Sequence, residues 1–211
     1  GVFNIPKDLG DRNISNINST IPYTMTISLR NKEVIECHLE VENNSENHRM
    51  RVIIKTGVVS NKSVTDTPMG IIERENTPKH IDDWRELNWK EEPSPIYPML
   101  HFVALEDNRS SAIAMAKGIK EYEILDNSNI ALTLFRGVGY LGKPDLIRRP
   151  GVASGNEFKY IETPKSQLKG KLKFKFAINL DKKLDITKIK NMFENYSISC
   201  LLYTSDAADE L

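Results

Sequence analysis

The sequence predicts an all-β protein, a large antiparallel β-sandwich with one short helix near the C-terminal end. Three observations lead there. Apolar and polar residues alternate with period two in several segments, which sends successive side chains to opposite faces of a sheet. Turn-forming clusters such as ENNSENH, EDNRS and DNSN separate those segments. Apolar residues at helical spacing are scarce before residue 184. Many strands divided by turns bury their apolar faces most readily as packed sheets.

Taken in order, YTMTISLR sets Tyr23, Met25, Ile27 and Leu29 against Thr24, Thr26, Ser28 and Arg30. VIECHLEVE puts Ile35, Cys37, Leu39 and Val41 on one face and Glu36, His38, Glu40 and Glu42 on the other. Further strands are expected at 49–55, 99–106, 111–117, 120–126 and 129–136. Residues 76–98, with four prolines, two tryptophans and dense charge, read as a long crossing loop. GVGYLG reads as a turn, because no helix-forming run follows its glycines. In KLKFKFAINL, Leu172, Phe174, Phe176, Ile178 and Leu180 oppose Lys171, Lys173 and Lys175. Ile186, Ile189, Met192 and Phe193 then recur at helical spacing in DITKIKNMFENY. The sandwich is thus assigned to 1–182 and a following helical segment to 183–199. The stretch 200–211 has another composition, resembles translated sequencing adapter and is set apart from the fold.

Charge and composition narrow the function. Lys+Arg and Asp+Glu both number 29 in 211 residues, so no net field draws in nucleic acid or an anionic membrane. A neutral partner such as sugar, or another protein surface, suits that balance. No apolar run approaches the roughly 20 residues of a membrane span, and no leader pattern opens the sequence. With only Cys37 and Cys200, neither a disulfide framework nor a CxxC metal pattern is present. A soluble, cytoplasmic protein is the expectation.

Among candidate sites, HIDDW offers His80, Asp82 and Asp83 as metal ligands, yet zinc needs three or four and no second motif supplies the rest. The expectation is a loop with Trp84 holding it down. Glu121 and Glu123 share a strand face that reads as exposed rather than as a catalytic pair. Arg136 is more informative: it continues the face of Ile130, Leu132 and Leu134 and ends a buried row, where an arginine can emerge into a groove. Arg148 and Arg149 in DLIRRPG can bind sugar hydroxyls or an acidic group, or else tie loops to carbonyls and carboxylates.

The ordered segments HRMRVIIK, ERENTPKHIDDWRELNWKEEPSPIYPMLHFVAL, GIKEYEI, IALTLFRGVGYLGKPDLIRRPG and ETPKSQLKG resemble the C-terminal β-region of glycoside hydrolase family 38 α-mannosidases. The nearest likeness is to the bacterial branch that includes mannosylglycerate hydrolase. The resemblance implies a sandwich of the galactose-mutarotase-like supersandwich type, packed on a catalytic α/β barrel that would precede Gly1. It also implies a retaining mechanism using two carboxyl groups, and a zinc ion held by His and Asp residues of that barrel and not by this chain. Catalytic and metal-binding residues are therefore expected to be none here. Arg136, Asp145, Arg148 and Arg149 stand as substrate-binding candidates, with an α-mannoside as substrate, the barrel as partner and a homo-oligomeric parent as a further expectation. A stand-alone sugar-binding module, stacking rings on Trp84, Trp89, Tyr97 and Tyr140, is the alternative.

Overall fold

The period-two segments become the strands of two stacked sheets. The computed structural model describes residues 1–30, 33–151 and 161–197; the segment 200–211, with Cys200, lies outside them. The larger sheet has eight strands, in the order β1 (Val2–Ile5), β2 (Ser19–Arg30), β3 (Val34–Asn43), β14 (Gly170–Asp181), β9 (Ser111–Lys117), β8 (Phe102–Glu106), β5 (Lys62–Thr67) and β6 (Gly70–Glu75). The smaller has four, in the order β4 (Arg49–Lys55), β11 (Asn129–Arg136), β10 (Glu121–Leu125) and β7 (Ile96–Pro98). A short ribbon pairs β12 (Tyr140–Leu141) with β13 (Ile161–Glu162). All these pairings are antiparallel, so the all-β sandwich expected from the alternation is what forms.

The core lies between the sheets, where Val103, Leu105, Ala114 and Phe176 meet Tyr122, Ile130 and Leu132. On the other face of the larger sheet, Phe102, Ala104, Ile113 and Met115 receive Ile189, Met192 and Tyr196 from helix α2 (Ile186–Ser197). Strands β8 and β9 are thus covered on both faces, which explains why FVALE and SAIAMA are continuous apolar runs rather than alternating ones. The helix forms where its spacing predicts, and the Asp185 carboxylate accepts from the Lys188 amide at 3.0 Å to satisfy a first-turn donor. Asp66 anchors the same region. Its carboxylate accepts from the amides of His101 (2.8 Å) and Phe102 (3.0 Å) and meets the His101 ring nitrogen at 2.7 Å. That ring in turn packs on Phe193 of α2, with centroids 4.3 Å apart.

Several elements differ from the sequence reading. The β5–β6 hairpin escapes the alternation rule because its inward positions include Ser63 and Thr65, buried polar residues that are satisfied by Tyr122 and by the Phe102 carbonyl. The crossing loop 76–98 ends in strand β7, held against β10. A five-residue helix, α1 (Leu9–Asn13), starts at Asp8, whose side chain caps Asp11. GVGYLG contributes the short strand β12 where a turn was expected. Met25, Ile27 and Leu29, assigned to a buried face, are exposed. The smaller sheet stops at β4, whose Met50 and Val52 lie over Leu39 and Val41 of β3, so β2 overhangs.

The inter-sheet packing sets a direct expectation for stability. Phe176 is almost fully buried between the sheets, so Phe176→Ala is expected to cost about 3–5 kcal/mol in urea unfolding. Met69→Ala, at the exposed hairpin tip, is expected to stay within about 0.5 kcal/mol.

Candidate functional site

Three chain segments far apart in sequence meet at one end of the sandwich: the β3–β4 connection, the turn after β11 and the stretch before β14. Asn43 organises them from within. It is fully buried, and its amide donates to the carbonyls of Gln167 and Leu168, each at 3.0 Å, while its own carbonyl accepts from the Ser45 amide at 3.1 Å. The Gln167 side-chain oxygen accepts from the Asn47 amide at 2.8 Å, and the Asn47 side-chain oxygen accepts from Gly139 at 2.9 Å. Thr163 closes the network with donations to the carbonyls of Gly139 (2.9 Å) and Val138 (2.8 Å). A Cβ at Gly139 would stand 2.7 Å from polar atoms of both Asn47 and Gln167. The glycine is therefore required by close approach, not by backbone angle.

The network frames an open cleft of about 520 Å³, lined by Asp8, Glu46, Asn47, Tyr140, Glu162 and Lys169 among others. Lys169 pairs with Glu46 at 3.0 Å. The lining holds more carboxylates than cations, so it offers hydrogen-bond acceptors to a ligand rich in hydroxyl donors. Next to Asn47, His48 packs edge-on against Phe135 and both of its ring nitrogens are buried. Burial holds its pKa below the ordinary 6.5.

Arg136 does not continue the buried row. The β4–β11 register shifts between Thr133 and Phe135, which makes Leu134 an extra residue. After this bulge Phe135 takes the inward position opposite Met50, and Arg136 lies opposite Arg49 on the outer face of the smaller sheet. There it joins Glu121 at 3.7 Å; Arg49 meets Glu121 at 3.8 Å and Glu123 at 3.7 Å, and Arg51 pairs with Glu123. Glu121 and Glu123 share a face as expected, but they are half-buried partners of three arginines rather than free surface carboxylates. Burial, followed by repulsion from Arg51, lowers the Arg49 pKa.

Asp145, Arg148 and Arg149 lie elsewhere, in the loop after β12. Asp145 accepts from the Gly151 amide at 3.0 Å. Arg149 donates to the Lys143 carbonyl at 3.3 Å and faces Glu91 at 3.8 Å, and Arg148 faces Glu92 at 3.6 Å. With Arg85 donating to the Ile147 carbonyl at 3.1 Å, these contacts clasp the loop to the crossing segment 76–98. No hydrogen bond or ion pair joins Arg136 to the other three among the described residues. In HIDDW, His80 meets Asp83 at 3.2 Å and packs on the Trp89 ring with centroids 5.4 Å apart, and Trp84 is buried beneath Arg85, whose guanidinium carbon lies 4.6 Å from the ring centroid. No three His, Cys, Asp or Glu side chains come together as metal ligands among the described residues. His80, Asp82 and Asp83 thus do not assemble the three or four ligands of a zinc site.

The sequence matches the family of "Glycosyl hydrolases family 38 C-terminal domain" over residues 12–145. It is 30% identical over 116 residues to a protein of Halalkalibacterium halodurans named "Putative mannosylglycerate hydrolase", a stretch covering 55% of this chain and 12% of that protein. The fold is similar to that of an alpha-mannosidase from Enterococcus faecalis V583, with a TM-score of 0.63 at 23% identity over 89% of this chain and 18% of the other. It is also similar to a glycosyl hydrolase family 38 protein from Enterococcus faecalis, with a TM-score of 0.67 at 19% identity over 93% and 22% of the two chains. The chain thus spans between an eighth and a quarter of the length of these relatives.

Two outcomes follow from the geometry. Gly139→Ala must push apart Asn47 and Gln167, with an expected loss of about 1–3 kcal/mol in chemical denaturation. Because folding disfavours protonated His48, its contribution is complete above pH 6.5 and declines as pH falls below that value toward the depressed folded pKa. His48→Phe should flatten the fall of the urea midpoint across that acid window.

Proposed function

The chain belongs to the glycosyl hydrolase family 38 C-terminal domain family, and on that premise we propose that it serves as the β-domain of a longer, cytoplasmic, zinc-dependent retaining α-mannosidase of the mannosylglycerate-hydrolase type. The catalytic carboxylates and the zinc ion belong, in this reading, to a separate barrel domain; zinc would grip hydroxyls of the mannose being cleaved. The β-domain shapes the groove beside that barrel. The observation that carries the reading is the meeting of two family-like segments, GVGYLG and ETPKSQLKG, with Glu46 and Asn47 just ahead of HRMRVIIK, around one acceptor-lined cleft.

Within this arrangement Glu46 and Glu162 accept hydrogen bonds from sugar hydroxyls, and Tyr140 offers an aromatic face to a pyranose ring. Outside the cleft, in the loop after β12, the guanidinium of Arg148 is more exposed than that of Arg149 and is left open to an acidic group such as that of a glycerate leaving group. Arg136, Asp145 and Arg149 act by holding their strand and loop in place. The sugar-binding module reading needs open ring faces: Trp84 is buried and the Tyr97 hydroxyl donates to the Glu75 carbonyl at 3.1 Å under the Arg74 guanidinium, which leaves Trp89 and Tyr140 as the exposed rings of the four.

Assayed alone with an aryl α-mannoside and zinc, the chain should give no turnover above blank, and calorimetric titration with methyl α-mannoside at millimolar concentration should be flat. Turnover well above blank, or a clear binding isotherm, would overturn the reading. In the longer polypeptide, Glu46→Gln and Arg148→Ala are expected to raise KM several-fold while kcat changes less, as loss of uniform binding requires.

A further inference from the structure

The smaller sheet ends on an open edge. Among the described residues nothing pairs with the outer side of β4, while β2 of the larger sheet continues beyond it. β4 lies over β3, and neighbouring strands in a sheet are roughly 4.8 Å apart. One more strand beside β4 would therefore lie directly over β2. That position is a groove of about 300 Å³, bounded by Phe3, Tyr23 and Met25 on one side and Met50, Val52 and Ile53 on the other.

The groove is apolar, with Phe3 and Met25 exposed along it. Beyond it the same face of β2 continues into Ile27 and Leu29, 62% and 65% exposed. These residues sit on the inward face, opposite the buried Cys37 and Leu39 and the half-buried Ile35 of β3. An inward-facing row at the end of a sandwich, next to an unpaired strand edge, is an incomplete core and an aggregation hazard unless it is covered.

We propose that this edge is a strand-addition site, filled by one extended segment from the remainder of the longer polypeptide. The added strand pairs with β4 through its backbone, lays alternate apolar side chains on Met25, Ile27 and Leu29, and turns acidic side chains outward. The inference rests on the reading of the chain as part of a longer protein, whose relatives extend far beyond it. Charge selects the strand. The outward positions of β4 are Arg49, Arg51, Ile53 and Lys55, and among the described residues Arg49 and Arg51 have Glu121 and Glu123 as their ion-pair partners, with Arg136 also drawing on Glu121. Opposite charges across a strand pair stabilise it and like charges do not. The same rule disfavours a second copy: antiparallel pairing of β4 with itself sets Arg49 opposite Lys55, and the neighbouring two-fold registers set Arg51 opposite Arg51 or Lys55.

The test uses the 211-residue chain and fluorescein-labelled nine-residue peptides of alternating valine and glutamate, followed by anisotropy. Saturable binding is expected, weakened at least tenfold when lysine replaces glutamate and at least tenfold by Ile27→Asp in the chain. Backbone N-methylation at alternate residues should abolish binding in one phase, where the methyl groups face β4, and leave it intact in the other. Absence of saturable binding, or equal binding by both N-methylated phases, overturns the proposal. So does a dimer in sedimentation that Ile27→Asp converts to monomer, which would assign the face to a second copy. No glycosidase assay enters these measurements, so an inactive enzyme would leave them unaffected.

Discussion

Strand β14 is the constraint on which the sandwich depends. It pairs with β3 from Gly170 to Ile178 and with β9 from Lys175 to Asp181, and so joins the three N-terminal strands to the rest of the larger sheet. Its Phe176 fills the space between the sheets, and its Ala177 gives α2 a flat surface on the opposite face. Before β14 is in place, β2 and β3 form a ribbon whose Cys37, Leu39 and Val41 have only β4 to cover them. The buried Asn43 guides the strand in by capturing the carbonyls of Gln167 and Leu168 just ahead of it. Leu168 and Gly170 have φ of 52° and 101°, the kind of conformation that turns a chain sharply into a strand.

Much of this fold is legible in the sequence because burial on one sheet face imposes period two. β3 and β14 announce themselves in that way, β11 as a continuous apolar run, and the helix through the 3.6-residue spacing of Ile186, Ile189 and Met192. The rule fails where another interaction substitutes for apolar burial. Ser63, Thr65 and Asp66 make β5 look like a loop, although a tyrosine hydroxyl, a carbonyl and two amides satisfy them inside the structure. It also fails at Leu134, where one additional residue moves Arg136 to the other face, since nothing in NIALTLFR marks a bulge.

The cleft is less legible than the fold. Asn47, Gly139 and Gln167 depend on partners 92 and 120 residues away, and a small polar residue gives no local sign of such a contact. The arginines of DLIRRPG were visible, and the role their contacts display is that of tying loops together. Arg149 is spent on a carbonyl and a carboxylate of neighbouring loops, whereas Arg148 keeps most of its head group in solvent. Residues close to one another in a motif separate once a strand carries one of them onto a sheet face, as Arg136 is parted from Asp145, Arg148 and Arg149.

The late position of β14 in the chain has a consequence during synthesis. Asn43 emerges from the ribosome 124 residues before Gln167, an interval on the order of ten seconds at ordinary elongation rates. Throughout it, β2 and β3 wait without the central strand that joins them to β9. The pace of synthesis between these two positions therefore sets the shortest time in which the larger sheet can close.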